Sequence, residues 1–173
     1  RRNLELTETM REKNKRGSLL WVLDKTKTPM GGRMLRSWLE RPLLSVTDIS
    51  RRSSAVAALV EDTIRREELI AGMTGLGDME RLIGRIVYGT AGGRDMTSLR
   101  AAIEKLPNLK EQLSGFSDRR LTELTAELDT LDDIGGDIAA AICDEPPFSV
   151  REGGIIRDGC NEEVDRLRHI LKN

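Results

Sequence analysis

Residues 28–42 read TPMGGRMLRSWLERP, a stretch that carries its own start, stop and buried face. Thr28 can cap a helix, and Pro29 suits the first helical position because the N–H that proline lacks has no partner there. Pro42 closes the run. Between them Met30, Met34, Leu35, Trp38 and Leu39 recur at helical spacing and give one apolar face. Trp38, one of only two tryptophans, is expected to anchor a core from that face. Gly31 and Gly32 oppose helicity by about 1 kcal/mol each relative to alanine, so their place in the first turn predicts another backbone passing close by. A glycine-rich helix start can also bind phosphate. Here Pro29 has removed one donor and no Gly-Lys-Ser/Thr follows, which favours packing.

Working outward, the 173 residues make about one domain, enough to bury roughly 70% of the unfolded surface. Lysine plus arginine number 28 against 29 aspartates and glutamates, a balance that argues against a free-standing electrostatic nucleic-acid binder or a polybasic membrane-surface protein. Cys143 and Cys160 have no CxxC spacing, and with His169 the only histidine the usual Cys/His zinc site cannot be assembled; two reduced thiols are expected. The longest apolar run, Ala55 to Val60, is far too short to span a membrane, and no charged-then-apolar leader precedes a cleavage site, so the chain reads as cytoplasmic. It begins at Arg1 and stops at Asn173 inside an amphipathic pattern, as an excised piece would.

Arg1 to Gly17 is polar, with Leu4 and Leu6 alternating as in a short extended strand before a loop that holds Lys13, Lys15 and Arg16. Ser18 can cap LLWVLD, which is apolar on nearly every side and predicts a short buried helix whose Trp21 can share a core with Trp38. Ser45 with Asp48 resembles a capping box before Val46, Ile49, Val56 and Val60. Asp62 to Met73 follows, with Glu61/Arg65 and Asp62/Arg66 at four-residue spacing on a solvated face. Asp78 is placed to cap a segment whose Met79, Leu82, Ile83, Ile86 and Val87 fit the helical template without a miss. Asp95 can cap the next helix, where Met96, Leu99, Ile103 and Leu106 lead to Pro107, and Leu109 and Leu113 resume the spacing. From Leu121 through Leu124, Leu128, Leu131, Ile134 and Ile138 to Ile142 the three-four steps continue across Gly135 and Gly136, which predicts one kinked core helix in preference to a coiled-coil seam. Ser149 to Gly159 has sustained turn chemistry around Gly153-Gly154 and Asp158-Gly159, an extended loop or hairpin. Asn161 can then cap a last helix, with Glu162 and Glu163 where the dipole favours them.

The pattern therefore predicts an all-α fold: an irregular multi-helix bundle with a short extended N-terminal segment and a glycine-rich loop or hairpin before the last helix. No Walker A motif, Gly-x-Ser-x-Gly elbow, His-Glu-x-x-His or aromatic-studded basic strand occurs. The clusters Asp132-Asp133-Asp137 and Glu162-Glu163-Asp165 lack the loop geometry of a calcium site and read as solvated helix faces. No catalytic, cofactor-binding or metal residue is expected.

Several stretches together resemble the MutS family of bacterial DNA mismatch-recognition ATPases, in the part called the core, or connector and lever, domain. They are RRNLEL at Arg1, LLWVLDKTKTPMGGRMLRSWLERPLL at Leu19, GDMERLIGRI at Gly77, RDM at Arg94, LPNLKEQL at Leu106 and DEPPFSVREGGIIRDGCNEEVDRLR at Asp144. The resemblance covers residues 1–173 and implies that the tail from Asn161 is the start of the lever helix rising to a DNA clamp. It implies a parent that pairs as a homodimer around mismatched duplex DNA, hydrolyses ATP with Mg, and engages the downstream repair protein MutL. This segment matches neither the mismatch-probing nor the ATPase region, so it is expected to hold no cofactor, to catalyse nothing, and as a separate piece to be monomeric. The localisation implied is the bacterial cytoplasm, at the nucleoid. Candidate structural or interdomain positions are Trp21, Gly31, Gly32, Arg33, Trp38, Gly153, Gly154 and Asn161; no DNA-binding residue is assigned. The alternative is an independent helical adaptor for protein–protein contacts, which would show a self-contained last helix and a large exposed apolar patch.

Overall fold

The computed structural model describes residues 4–172. In chain order the helices are α1 Leu19–Leu23, α2 Pro29–Glu40, α3 Val46–Glu61, α4 Thr63–Met73, α5 Met79–Val87, α6 Gly93–Ile103, α7 Leu106–Ser114, α8 Arg119–Glu127, α9 Asp132–Ala141 and α10 Glu162–Lys172, with a 3-10 turn at Val150–Glu152. Among the described residues there is no strand, only an antiparallel bridge between Ile142 and Ile156. The fold is all-α, as the periodicity predicts.

The helix starts are built from the side chains that the sequence places there. Trp21 N–H donates to Ser18 Oγ (3.2 Å), Gly31 N–H to Thr28 Oγ1 (3.0 Å), Asp48 N–H to Ser45 Oγ (3.3 Å) and Arg65 N–H to Asp62 Oδ1 (3.0 Å). Each satisfies one donor that the helix cannot, worth about 1 kcal/mol. Asp95 works from inside its helix, accepting the Gly92 N–H at 2.8 Å.

The chain forms two compact units, Arg1–Asp78 with Pro107–Asp129, and Met79–Leu106 with Thr130–Asn173. In the first, α3 packs on α8 and α4, and α1 on α2. Its buried apolar residues are Leu20, Ala55, Leu69, Leu109, Phe116 and Leu121. Gly72 of α4 lies against α7: a Cβ there would come within 2.9 Å of Leu109 Cδ2. In the second unit α6 packs on α9 and α5. Leu99, Ile103 and Ile138 are buried together, with Met79, Leu82, Met96, Leu131 and Ile142 around them. Burying a side chain of this size contributes about 1.5–3 kcal/mol. Gly135 permits the approach of α9 to α6, since a Cβ there would sit 3.0 Å from Ile103 Cγ2.

Four local expectations are corrected. Leu4 to Leu6 is not a strand: Glu5 turns left-handed (φ 44°), and the Glu5 and Leu6 carbonyls accept from Leu19 and Leu20 N–H, at 3.0 and 2.8 Å. The acceptors that a strand partner would need are used by the first donors of α1. The seam from Leu121 to Ile142 is two helices, not one kinked helix. Leu128 ends α8 and Leu131, left-handed at φ 54°, precedes α9, so the apolar phase survives a break in the hydrogen-bond ladder. In α1 only Leu20 is buried; Trp21 is 49% exposed, and Trp38 of α2 is 40% exposed, so neither anchors a core. Finally, it is side chains and not another backbone that crowd Gly31 and Gly32, where a Cβ would meet Thr28 Oγ1 at 3.0 Å and Thr26 Oγ1 at 3.3 Å. The turn before α2 folds back onto its own helix, with Thr26 Oγ1 donating to Asp24 Oδ1 at 2.6 Å.

Arg65 pairs with Asp62 (3.0 Å) and Arg66 with Glu67 (3.6 Å), rather than at the four-residue spacing. Arg66 also donates to the Leu59 and Val60 carbonyls at the end of α3. Among the described residues no helix is long and apolar enough to cross a membrane.

Candidate functional site

In the second unit the root of α10 is held by arginines. The chain leaves α9, makes the Ile142–Ile156 bridge, and is tied there by Cys143 N–H to Ile155 O (2.9 Å) and Arg157 N–H to Ala141 O (2.8 Å). Arg157 then donates to Ala139 O (3.0 Å), Ile142 O (3.2 Å) and Asp144 Oδ1 (2.8 Å), capping the carbonyl end of α9 with a positive charge. Arg100 of α6 reaches the same Asp144 oxygen at 3.1 Å. The Arg157 guanidinium, and after it that of Arg100, hold the Asp144 carboxyl below the usual carboxylate range.

Arg168, two turns into α10, fastens the helix to the loop before it. It donates to Asp158 Oδ1 at 2.6 Å and to Ile156 O at 2.7 Å. Asn161 Oδ1 accepts from Glu163 and Val164 N–H, at 3.0 and 3.1 Å, as the sequence expects of a cap. Asp165 accepts the Gly159 N–H at 2.8 Å. Gly153 and Gly154 are both left-handed, φ 71° and 74°, a conformation that glycine adopts without steric cost. They let the chain turn from the Val150–Glu152 segment into the bridge. Below it Gly93 faces Pro146 and Ile155, and Arg94 donates to Pro146 O at 3.2 Å.

The first unit presents an apolar groove of about 770 Å³ between α2, α3 and α8. Met34 and Trp38 of α2, Val56 and Leu59 of α3, and Leu121 and Leu124 of α8 line it. The Arg52 guanidinium lies 3.5 Å from the centre of the Trp38 ring, a cation–π contact. On α8 Glu123 receives Arg51, through Nη2 at 2.8 and 2.6 Å, together with Arg119 at 3.1 Å and Arg120 at 3.4 Å. Arg119, then Arg51 and Arg120, keep its carboxyl below the usual range. Arg51 Nε is buried and has no acceptor among the described residues. Outside the groove, Arg33 forms a two-pronged pair with Asp78, 2.8 and 2.7 Å, where the chain leaves this unit.

The sequence-predicted positions thus fall in separate places. Gly153, Gly154 and Asn161 lie together at the root of α10; Trp38 lines the groove; Gly31 and Gly32 pack on their own turn; Trp21 is exposed. Sequence reasoning missed the contacts by which Arg100, Asp144, Arg157 and Arg168 hold this root, which span 10 to 44 positions, beyond any helical period. Among the described residues no three or more His, Cys, Asp or Glu side chains gather as a metal site.

The profile of MutS domain III matches residues 1–173. The chain is 46% identical, over all of its 173 residues, to 20% of the DNA mismatch repair protein MutS of Desulforamulus reducens. It is 49% identical over 167 residues, 96% of its length, to 19% of the same-named protein of Alkaliphilus oremlandii, and 50% identical over 167 residues, again 96%, to 19% of that of Brevibacillus brevis. The chain spans about one fifth of the length of the curated relatives it matches.

Proposed function

This chain belongs to the MutS family, of which it is domain III, the core and lever domain, and on that footing we propose that it links the ATPase region of its parent to the DNA clamp. The parent binds mismatched duplex DNA as a homodimer, hydrolyses ATP with Mg, and passes the signal to MutL in the bacterial cytoplasm, at the nucleoid. This domain itself holds no nucleotide and does no chemistry; it transmits displacement.

The observation that carries the reading is the fastening of α10. A helix passes motion along only if its root does not swivel, and the Gly153–Gly154 joint would swivel if nothing bridged it. Arg168 on Asp158 and the Ile156 carbonyl, with Arg157 and Arg100 on Asp144, bridge that joint to α6 and α9. A push delivered to the second unit is then handed to α10 and not lost in the loop. An adaptor that works alone would also expose apolar surface, yet the relatives named above carry this segment within a polypeptide about five times as long.

The test is DNA affinity with and without ATP in the full-length parent, wild type against Arg168→Ala and Arg168→Pro. The first removes the fastening alone; the second also breaks the helical ladder, at about 3 kcal/mol or more. Nucleotide affinity should survive in both, while the ratio of the two DNA affinities shrinks toward one, a loss of coupling that is typically about 1–3 kcal/mol. An unchanged ratio in folded variants makes the domain a passive spacer.

A further inference from the structure

The groove of the first unit is shaped and charged for a specific occupant. Along α3 it runs from Asp48 to Leu59, about 16 Å at the rise of an α-helix, which matches three turns of a helix laid into it. Met34, Trp38 and Val56 remain 57%, 40% and 54% exposed there, an apolar surface of the kind that soluble proteins cover. Its rim is unbalanced in charge. Arg51, Arg52 and Arg120 line it with Asp48, and the nearby Glu123 is already shared by Arg51, Arg119 and Arg120. Arg52 has no carboxylate partner among the described residues; its charge rests on the Trp38 ring.

We propose that this groove seats an amphipathic helix with Asp or Glu along one edge, supplied by the four-fifths of the parent polypeptide that lies outside this chain. The apolar face of that helix covers Trp38, Val56 and Leu124, and its acidic edge meets Arg52 and Arg120. Helix-in-groove binding places apolar anchors at three- and four-residue spacing, while rim charges select the partner and its direction. Attachment through the chain raises the effective concentration of the segment, so modest contacts suffice. The proposal rests on the chain being one domain of a longer MutS polypeptide, and it is independent of the fastening of α10.

The experiment uses the full-length parent with a photo-cross-linking amino acid at position 56 or, separately, at position 124, with cross-links mapped by mass spectrometry in a mixture of isotopically light and heavy protein. Expected are light–light and heavy–heavy links from both positions to an apolar segment flanked by acidic residues outside residues 1–173. Arg52→Glu combined with Arg120→Glu should lower their yield by about tenfold without altering the circular dichroism spectrum. Mixed light–heavy links would show a second copy in the groove and overturn the proposal. Links to a basic segment, or none from either position in folded protein, would overturn it equally. A free groove in a parent whose ATP response still depends on Arg168 would remove this proposal and leave the proposed function standing.

Discussion

Gly93→Ala should destabilise the second unit, although alanine is the better helix former. Gly93 is the first residue of α6 and is buried, and a Cβ built on it would lie 2.7 Å from Pro146 Cβ and 2.9 Å from Ile155 Cγ2. Carbon atoms pack at about 3.5–4.0 Å, so the new methyl is about 1 Å too close to two partners. Ile155 can turn about χ1, but the Pro146 ring cannot, and Arg94 holds its carbonyl. Overpacking of this kind costs about 1–3 kcal/mol, against a propensity gain of at most about 1 kcal/mol that is smaller still in a first turn. The net loss is about 1–2 kcal/mol. Gly84→Ala, in the middle of α5 with nothing within 4 Å of its Cβ, is the control and should gain about 0.5–1 kcal/mol. With a urea dependence of about 2 kcal/mol per molar, the midpoint falls by about 0.5–1 M in the first variant and rises by about 0.3–0.5 M in the second. Both are read by far-UV circular dichroism. If the two variants shift the midpoint in the same direction, Pro146 does not pack on the start of α6.

Trp38→Ala should cost about 2 kcal/mol, from partial loss of its apolar contacts and of the Arg52 stack, rather than the roughly 3–5 kcal/mol typical of a fully buried aromatic. A loss above about 4 kcal/mol in unfolding free energy from urea titration would place the ring inside the core after all. Asp24 carries the clearest pH signature: hydrogen bonds from Lys15 and then Thr26 lower its carboxyl from 3.8 to about 2. Because the folded value is the lower one, this stabilisation is fully present above about pH 4 and is lost as the pH falls through about 2. Lys15 is half exposed, so screening leaves about 1 kcal/mol, and Lys15→Met should flatten the stability profile across that window; an unchanged profile would refute the pair.

What the sequence determined by itself is what acts over one helical turn. A Ser, Thr, Asp or Asn reaches an N–H two or three residues on, whatever the rest of the chain does, so the starts of α1, α2, α3 and α10 were legible at Ser18, Thr28, Ser45 and Asn161. The residues of the core cluster could be picked out for the same reason: Met79 and Leu82, or Leu99 and Ile103, share a face once the helix exists. Tertiary structure decided which apolar face is covered and which cation meets which anion. Trp38 has the spacing of a buried residue, but spacing reports only that a face is apolar, and the surface opposite α2 is a groove. Leu128 and Leu131 keep the phase of a continuous helix across a break, because periodicity follows side-chain direction and is blind to the left-handed turn at Leu131. Arg157 and Arg168 carry no local mark at all, since each side chain has several donors and could serve any carboxylate or carbonyl within reach. Only the folded chain, by bringing Asp144, Asp158 and the Ile156 carbonyl to them, assigns the arginines their partners and fastens the last helix at its root.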